Sequence, residues 1–187
     1  MIRSVLALFM AFSVSLVGLA QTRASLSGVL SLEWGSSRAS AKQAFAAKGL
    51  YRLVSEDEVY AYFSGSFEGR DANIALGFSR DKLFGCTFSL RGQAATALND
   101  YKATVRNLAA EYGGPTEVVE IFQPPFRQGD GNEIAALKAG KATLQTIWRF
   151  GDDNGISVFI DRTNMGTIVL YENKALMAQY LGGLGKR

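Results

Sequence analysis

The strongest constraint on this chain is a series of short runs in which apolar and polar residues alternate. Phe84, Cys86, Phe88 and Leu90 fall on one side of such a run, and Thr87, Ser89 and Arg91 on the other. Successive side chains of a strand point to opposite faces, so the pattern predicts a sheet with one buried and one wet face. The same alternation sets Val59, Ala61 and Phe63 against Tyr60 and Tyr62, and recurs through Ile74, Leu76 and Phe78. It returns in Leu144–Phe150, Ile156–Ile160 and Ile168–Tyr171, with a further strand at Val118–Ile121. The connections are short and polar, such as Glu68-Gly69-Arg70-Asp71 and Ser79-Arg80-Asp81-Lys82, which favours antiparallel hairpins.

Two stretches change period. Leu98, Tyr101, Val105, Leu108 and Tyr112 recur at spacings of three and four, which predicts an amphipathic helix over Ala97–Tyr112, capped by Thr96 and stopped by Gly113-Gly114-Pro115. Ala41, Ala44, Phe45 and Lys48 predict an earlier helix, capped by Ser36 or Ser37 and ended by Gly49, with Leu50 folding back onto Phe45. Shorter helices are expected at Glu133–Ala139, capped by Asn132, and at Lys174–Leu181, capped by Asn173. The expected fold is α+β: an antiparallel sheet with helices packed on one face. Both long helices end in Gly and run into a strand, and both halves end in a hairpin. Residues 35–91 and 96–172 can therefore be read as a tandem duplication of a helix plus about four strands.

The start of the chain has the three-part form of a secretory signal. Met1-Ile2-Arg3 is followed by the apolar Ser4–Leu19 stretch and by Gly18-Leu19-Ala20, with small residues at the −3 and −1 positions of a cut. A second cut site follows Ala24. The expected organisation is a signal peptide over residues 1–20 and a single exported domain over 21–187, periplasmic or secreted. No later segment has the length and hydropathy of a membrane span. The absence of any Asn-x-Ser/Thr acceptor favours a bacterial origin. Cleavage after Ala20 removes Arg3 and lowers the formal charge from +3 to +2, with the basic residues scattered, so nucleic acid is not an expected partner.

Chemistry is constrained mainly by what is missing. The chain has no histidine and one cysteine, Cys86. That excludes His-based triads, His-containing metal sites and an intramolecular disulfide. No phosphate loop of standard spacing occurs, and no cofactor is expected. Glu56-Asp57-Glu58 and Asp152-Asp153 offer carboxylates for glycoside-type hydrolysis, but both sit in predicted turns. Asp130-Gly131-Asn132-Glu133 lacks the full calcium-loop pattern. Cys86 shares its face with Phe84 and Phe88 and reads as a buried, inert thiol.

The Trp34-Gly35-x-Ser37 entry, the Gly-ended helix and the meander resemble small exported bacterial domains of the beta-lactamase inhibitor protein type, and the related outer-membrane assembly lipoprotein domains. The resemblance covers the layout of most of the mature chain. It implies a helical layer on an antiparallel sheet, sometimes in tandem, and action by binding other proteins. This chain lacks the paired cysteines of the inhibitors and the lipid-attachment cysteine of the lipoproteins, so neither inhibition nor anchoring carries over.

Aromatic and Arg side chains are the natural candidates for a binding surface. They are Trp34 before the first helix, Tyr60 and Tyr62 on the wet side of their strand, and Phe126 and Arg127 in the long Gln123–Asn132 loop. The expected function is an exported, non-enzymatic binding module of the bacterial cell envelope, with another envelope or secreted protein as partner. A small-molecule or lipid-binding periplasmic protein and a carboxylate-dependent hydrolase are the alternatives.

Overall fold

The computed structural model describes residues 25–49, 51–151 and 154–184. The signal-peptide expectation, the contact expected of Leu50, the Asp152-Asp153 pair and residues 185–187 lie outside these. Helix α1 is Arg38–Ala47, capped by Ser37, whose hydroxyl accepts from the Ser40 N–H. Strands β3 (Arg52–Glu56), β4 (Tyr60–Phe67), β5 (Arg70–Ser79) and β6 (Lys82–Leu90) follow as a meander. Helix α2 spans Ala97–Tyr112, and Thr96 Oγ1 bonds Asp100 Oδ2 rather than a backbone N–H. Then come β7 (Glu117–Phe122), α3 (Glu133–Lys138), β8 (Ala142–Arg149), β9 (Asn154–Ile160), β10 (Thr167–Asn173) and α4 (Lys174–Leu184). A small ribbon, β1 (Gly28–Val29) with β2 (Leu32–Glu33), precedes α1.

All eight longer strands join one antiparallel sheet in the order β3-β4-β5-β6-β10-β9-β8-β7. The two meanders meet in the middle, where β6 pairs with β10 from Thr167↔Leu90 to Glu172↔Gly85. The first half is a helix followed by four strands; the second has a helix and four strands with α3 inserted between β7 and β8, and the last strand of each half forms the seam. The hairpin turns need left-handed residues, and Glu68-Gly69 and Arg80-Asp81 supply them with φ of 53° and 73°, and of 48° and 61°.

The core lies between one face of the sheet and helices α1 and α2. Phe45 of α1 packs edge-on to Phe63 and stacks on Tyr51 at 4.4 Å between ring centroids. Tyr112 of α2 meets Tyr171, which meets Phe88, and Phe88 stacks on Phe67. Trp148 is fully buried, and its Nε1–H donates to the Gly113 carbonyl at 2.8 Å, tying the end of α2 to β8. The fold is the expected α+β layout of helices on an antiparallel sheet. Helix α4 is set apart: it crosses β5, β6 and β10 on the reverse face.

A bulge makes the reverse face what it is. Gly77 pairs with Gly85 and Phe78 with Leu83, so Phe84 is the extra residue. Leu83 and Cys86 face the helices, while Phe84 turns to the other side. Strict alternation puts Phe84 on the face of Cys86 and Phe88, and the bulge reverses that placement.

Candidate functional site

The reverse face carries a row of aromatic rings. Tyr60 and Tyr62, two residues apart on β4, have ring centroids 6.0 Å apart. Tyr60 meets Phe84 edge-on at 6.5 Å, and Phe84 stacks on Tyr180 of α4 at 5.5 Å and 16° between planes. These are ordinary aromatic-pair spacings. Tyr62, at the open end, is 37% exposed. Away from it the face runs through short or slim side chains in register: Tyr62↔Ala75, Ala75↔Thr87, Thr87↔Leu170 and Leu170↔Ser157.

The row is held from the other side of the sheet. Arg38, in the first turn of α1, donates to the carbonyls of Asp57 (2.9 Å), Glu58 (2.7 Å) and Tyr60 (3.1 Å). Its guanidinium lies 4.7 Å over the Phe78 ring. That fixes the turn between β3 and β4. Within the turn, Asp57 Oδ1 accepts from the N–H groups of Val59 and Tyr60, at 2.8 and 2.7 Å. Its Oδ2 accepts from the Tyr62 hydroxyl at 3.3 Å. The N–H groups of Tyr60 and then Val59 hold the Asp57 carboxyl below the usual carboxylate range. Burial first, and the Asp57 charge after it, raises the Tyr62 phenol, so that ring keeps its proton at neutral pH.

The sequence-predicted candidates do not form one site. Tyr60 and Tyr62 sit together in the row. Trp34 is on the helix side, half-buried against the core, with its Nε1–H bonded to the Leu26 carbonyl. Phe126 and Arg127 are beyond β7 at the far edge of the sheet. Phe126 packs partly on the core, while Arg127 gives its N–H to Asp130 Oδ2. Strands β4 and β7 are six places apart in the sheet, about 29 Å at the usual strand spacing. Phe84 and Tyr180 were missed. The Gly77 and Gly85 pair signals the bulge, since glycine inside a strand pattern often marks one.

The acidic groups are engaged elsewhere. Glu56 bonds Lys42 Nζ at 2.8 Å, and that ammonium holds its carboxyl below the usual range. Asp130 accepts from the N–H groups of Arg127 and Asn132, and Glu133 from that of Gly129. These bonds close the loop on itself. Among the described residues no group of three or more Cys, Asp or Glu side chains is placed to hold a metal ion. No described helix is long and apolar enough to cross a membrane. The buried Cys86 thiol is pushed well up by desolvation.

Comparison with protein-family models, with curated proteins and with solved structures finds no match to this chain.

Proposed function

We propose that the mature chain is an exported, non-enzymatic binding module of the bacterial cell envelope, and that it meets a protein partner through the reverse face of its sheet. The observation that carries this is the aromatic row Tyr62-Tyr60-Phe84-Tyr180, with an exposed Tyr at its open end and a turn locked by Arg38 behind it. Preorganised tyrosines supply large contact area at little entropic cost, which is why they are enriched at binding hot spots. The resemblance to exported inhibitor and assembly-lipoprotein domains points the same way, since those act by binding proteins.

The test is a photo-reactive phenylalanine analogue placed at Tyr62 of the full-length chain and expressed in its own cells. A second chain carries the analogue at Ile121, which is 53% exposed on the opposite edge strand. One dominant protein product is expected from Tyr62 and not from Ile121. No product, or identical products from both positions, overturns the reading.

A further inference from the structure

The reverse face continues past Tyr62 into a polar hollow. Ser64 lies two residues beyond Tyr62 on β4, so it shares that face. The register sets Arg52 of β3 opposite Ser64, and Ser64 opposite Asn73 of β5. Polar side chains from three strands therefore stand in one row beside the aromatic one. Leu90 pairs with Ala72, so Arg91, just past β6, follows beside Asp71. Arg52, Ser64, Asp71, Asn73 and Arg91 all line one open hollow of about 410 Å³.

The hollow holds more positive charge than the chain itself uses. Arg38 and Arg70 are engaged, the first on three carbonyls and the second on Thr104 and Asp100. Among the described residues, no hydrogen bond or ion pair engages the guanidinium of Arg52 or of Arg91. Asp71 lines the same hollow and is ion-paired to neither. A guanidinium carries only donors, in a planar fork that matches a carboxylate bidentately. Two such groups against one carboxylate leave one positive charge over. That balance suits a singly charged carboxylate. A phosphate near two negative charges would meet added repulsion from Asp71 with no further cation to offset it.

We infer that this hollow is a carboxylate-binding subsite, and that it receives a Glu or Asp side chain of the protein partner. The inference rests on the reading that the reverse face is the binding surface. The source follows from position. The hollow adjoins Tyr62, the exposed end of the aromatic row, so one segment of the partner covers both. A tyrosine beside arginines is also the composition of a binding hot spot. Asp71 acts against the guest: its charge repels an incoming carboxylate, so its removal raises affinity.

A nuclear magnetic resonance titration of the isotope-labelled full-length chain tests this. The probe is N-acetylglutamate amide, whose only charge is the side-chain carboxylate, and the control is N-acetylglutamine amide. The Nε–H signals of Arg52 and Arg91 are expected to shift saturably with the glutamate probe alone, and inorganic phosphate should bind no more tightly. Arg52→Gln and Arg91→Gln should each weaken binding at least about fivefold, and Asp71→Asn should strengthen it at least about twofold. All three side chains are exposed, so the variants keep the fold. In cells, the Tyr62 cross-link should fall at least about fivefold in the chain carrying both arginine substitutions. No saturable shift, equal shifts with the glutamine control, or unchanged binding in both arginine variants overturns the carboxylate subsite. Tighter binding of phosphate overturns its ligand class. A saturable shift with an unchanged cross-link overturns the partner as the source and assigns the hollow to a free carboxylate. If Tyr62 gives no cross-link even in the parent chain, the binding-module reading falls, and the titration alone decides the subsite.

Discussion

The indole Nε1–H of Trp34 donates to the carbonyl oxygen of Leu26 at 2.7 Å, and Asn154 Nδ2 donates to that same oxygen at 2.9 Å. One acceptor thus pins the segment entering the domain to the start of β9. Trp34→Phe keeps one aromatic ring, gives up part of the indole's apolar contact and removes one donor, while Asn154 still satisfies the oxygen. The expected cost is about 1 kcal/mol. Urea unfolding should show a lower midpoint with an unchanged slope. The yield of the Tyr62 cross-link should not change. An unchanged midpoint with a lost cross-link would instead place Trp34 in the contact surface.

A second buried pair joins the helix layer to the sheet. The hydroxyls of Tyr101 and Thr146 are 2.6 Å apart, and Tyr101 and Thr146 are 5% and 2% exposed. Tyr101→Phe or Thr146→Val alone leaves the other hydroxyl buried without this partner, at about 1–3 kcal/mol. The double substitution removes both polar groups and should cost less than the sum of the two singles. A double-mutant cycle in denaturant measures the difference. Strict additivity would mean that the bond contributes nothing.

The sheet was legible in the sequence because most strands follow strict alternation, and α2 because its apolar stripe holds its period for four turns. The observed Ala97–Tyr112 helix coincides with the expected one. The seam between halves was not legible, since pairing of β6 with β10 joins residues far apart in the chain, from Thr167 with Leu90 to Glu172 with Gly85, and leaves no local signal. The bulge at Phe84 was hidden for a related reason: one extra residue reverses a face, and alternation alone cannot see it. Of the candidate site, Tyr60 and Tyr62 could be read from their strand. Tyr180 could not, because its place depends on which face the last helix crosses.

Alkaline pH provides a third test. Burial first, and then the hydrogen bond and charge of Glu111, push Tyr112 up to about 12, against the hydrogen bond with Tyr171, which lowers it. Tyr171 is raised as well, by burial first and then by Tyr112. An unfolded tyrosine titrates near 10. The raised folded-state values mean that this contribution to stability is complete below pH 10. It is lost as pH climbs from about 10 through 12, because the unfolded chain gives up its protons first. Absorbance at 295 nm should show the more exposed tyrosines ionising before the far-ultraviolet circular dichroism changes, and a last group ionising together with unfolding. Ionisation of all seven tyrosines ahead of any loss of structure would contradict the burial of Tyr112 and Tyr171.

The Pro-rich loop is set apart from the aromatic row by the width of the sheet, and its two candidate residues differ in kind. Phe126 is half-buried against the core, so Phe126→Ala removes apolar contact and should cost about 1–2 kcal/mol. Arg127 engages the loop through its backbone N–H, which Ala retains, so Arg127→Ala should stay within about 0.5 kcal/mol of the parent. At about 29 Å from β4, neither change should alter the Tyr62 cross-link. Thermal unfolding of the two single variants, with the cross-link measured on each, separates the alternatives. A cross-link lost in Arg127→Ala at unchanged stability would mean that the partner spans the whole sheet from β4 to β7, and the contact surface would then have to include the loop.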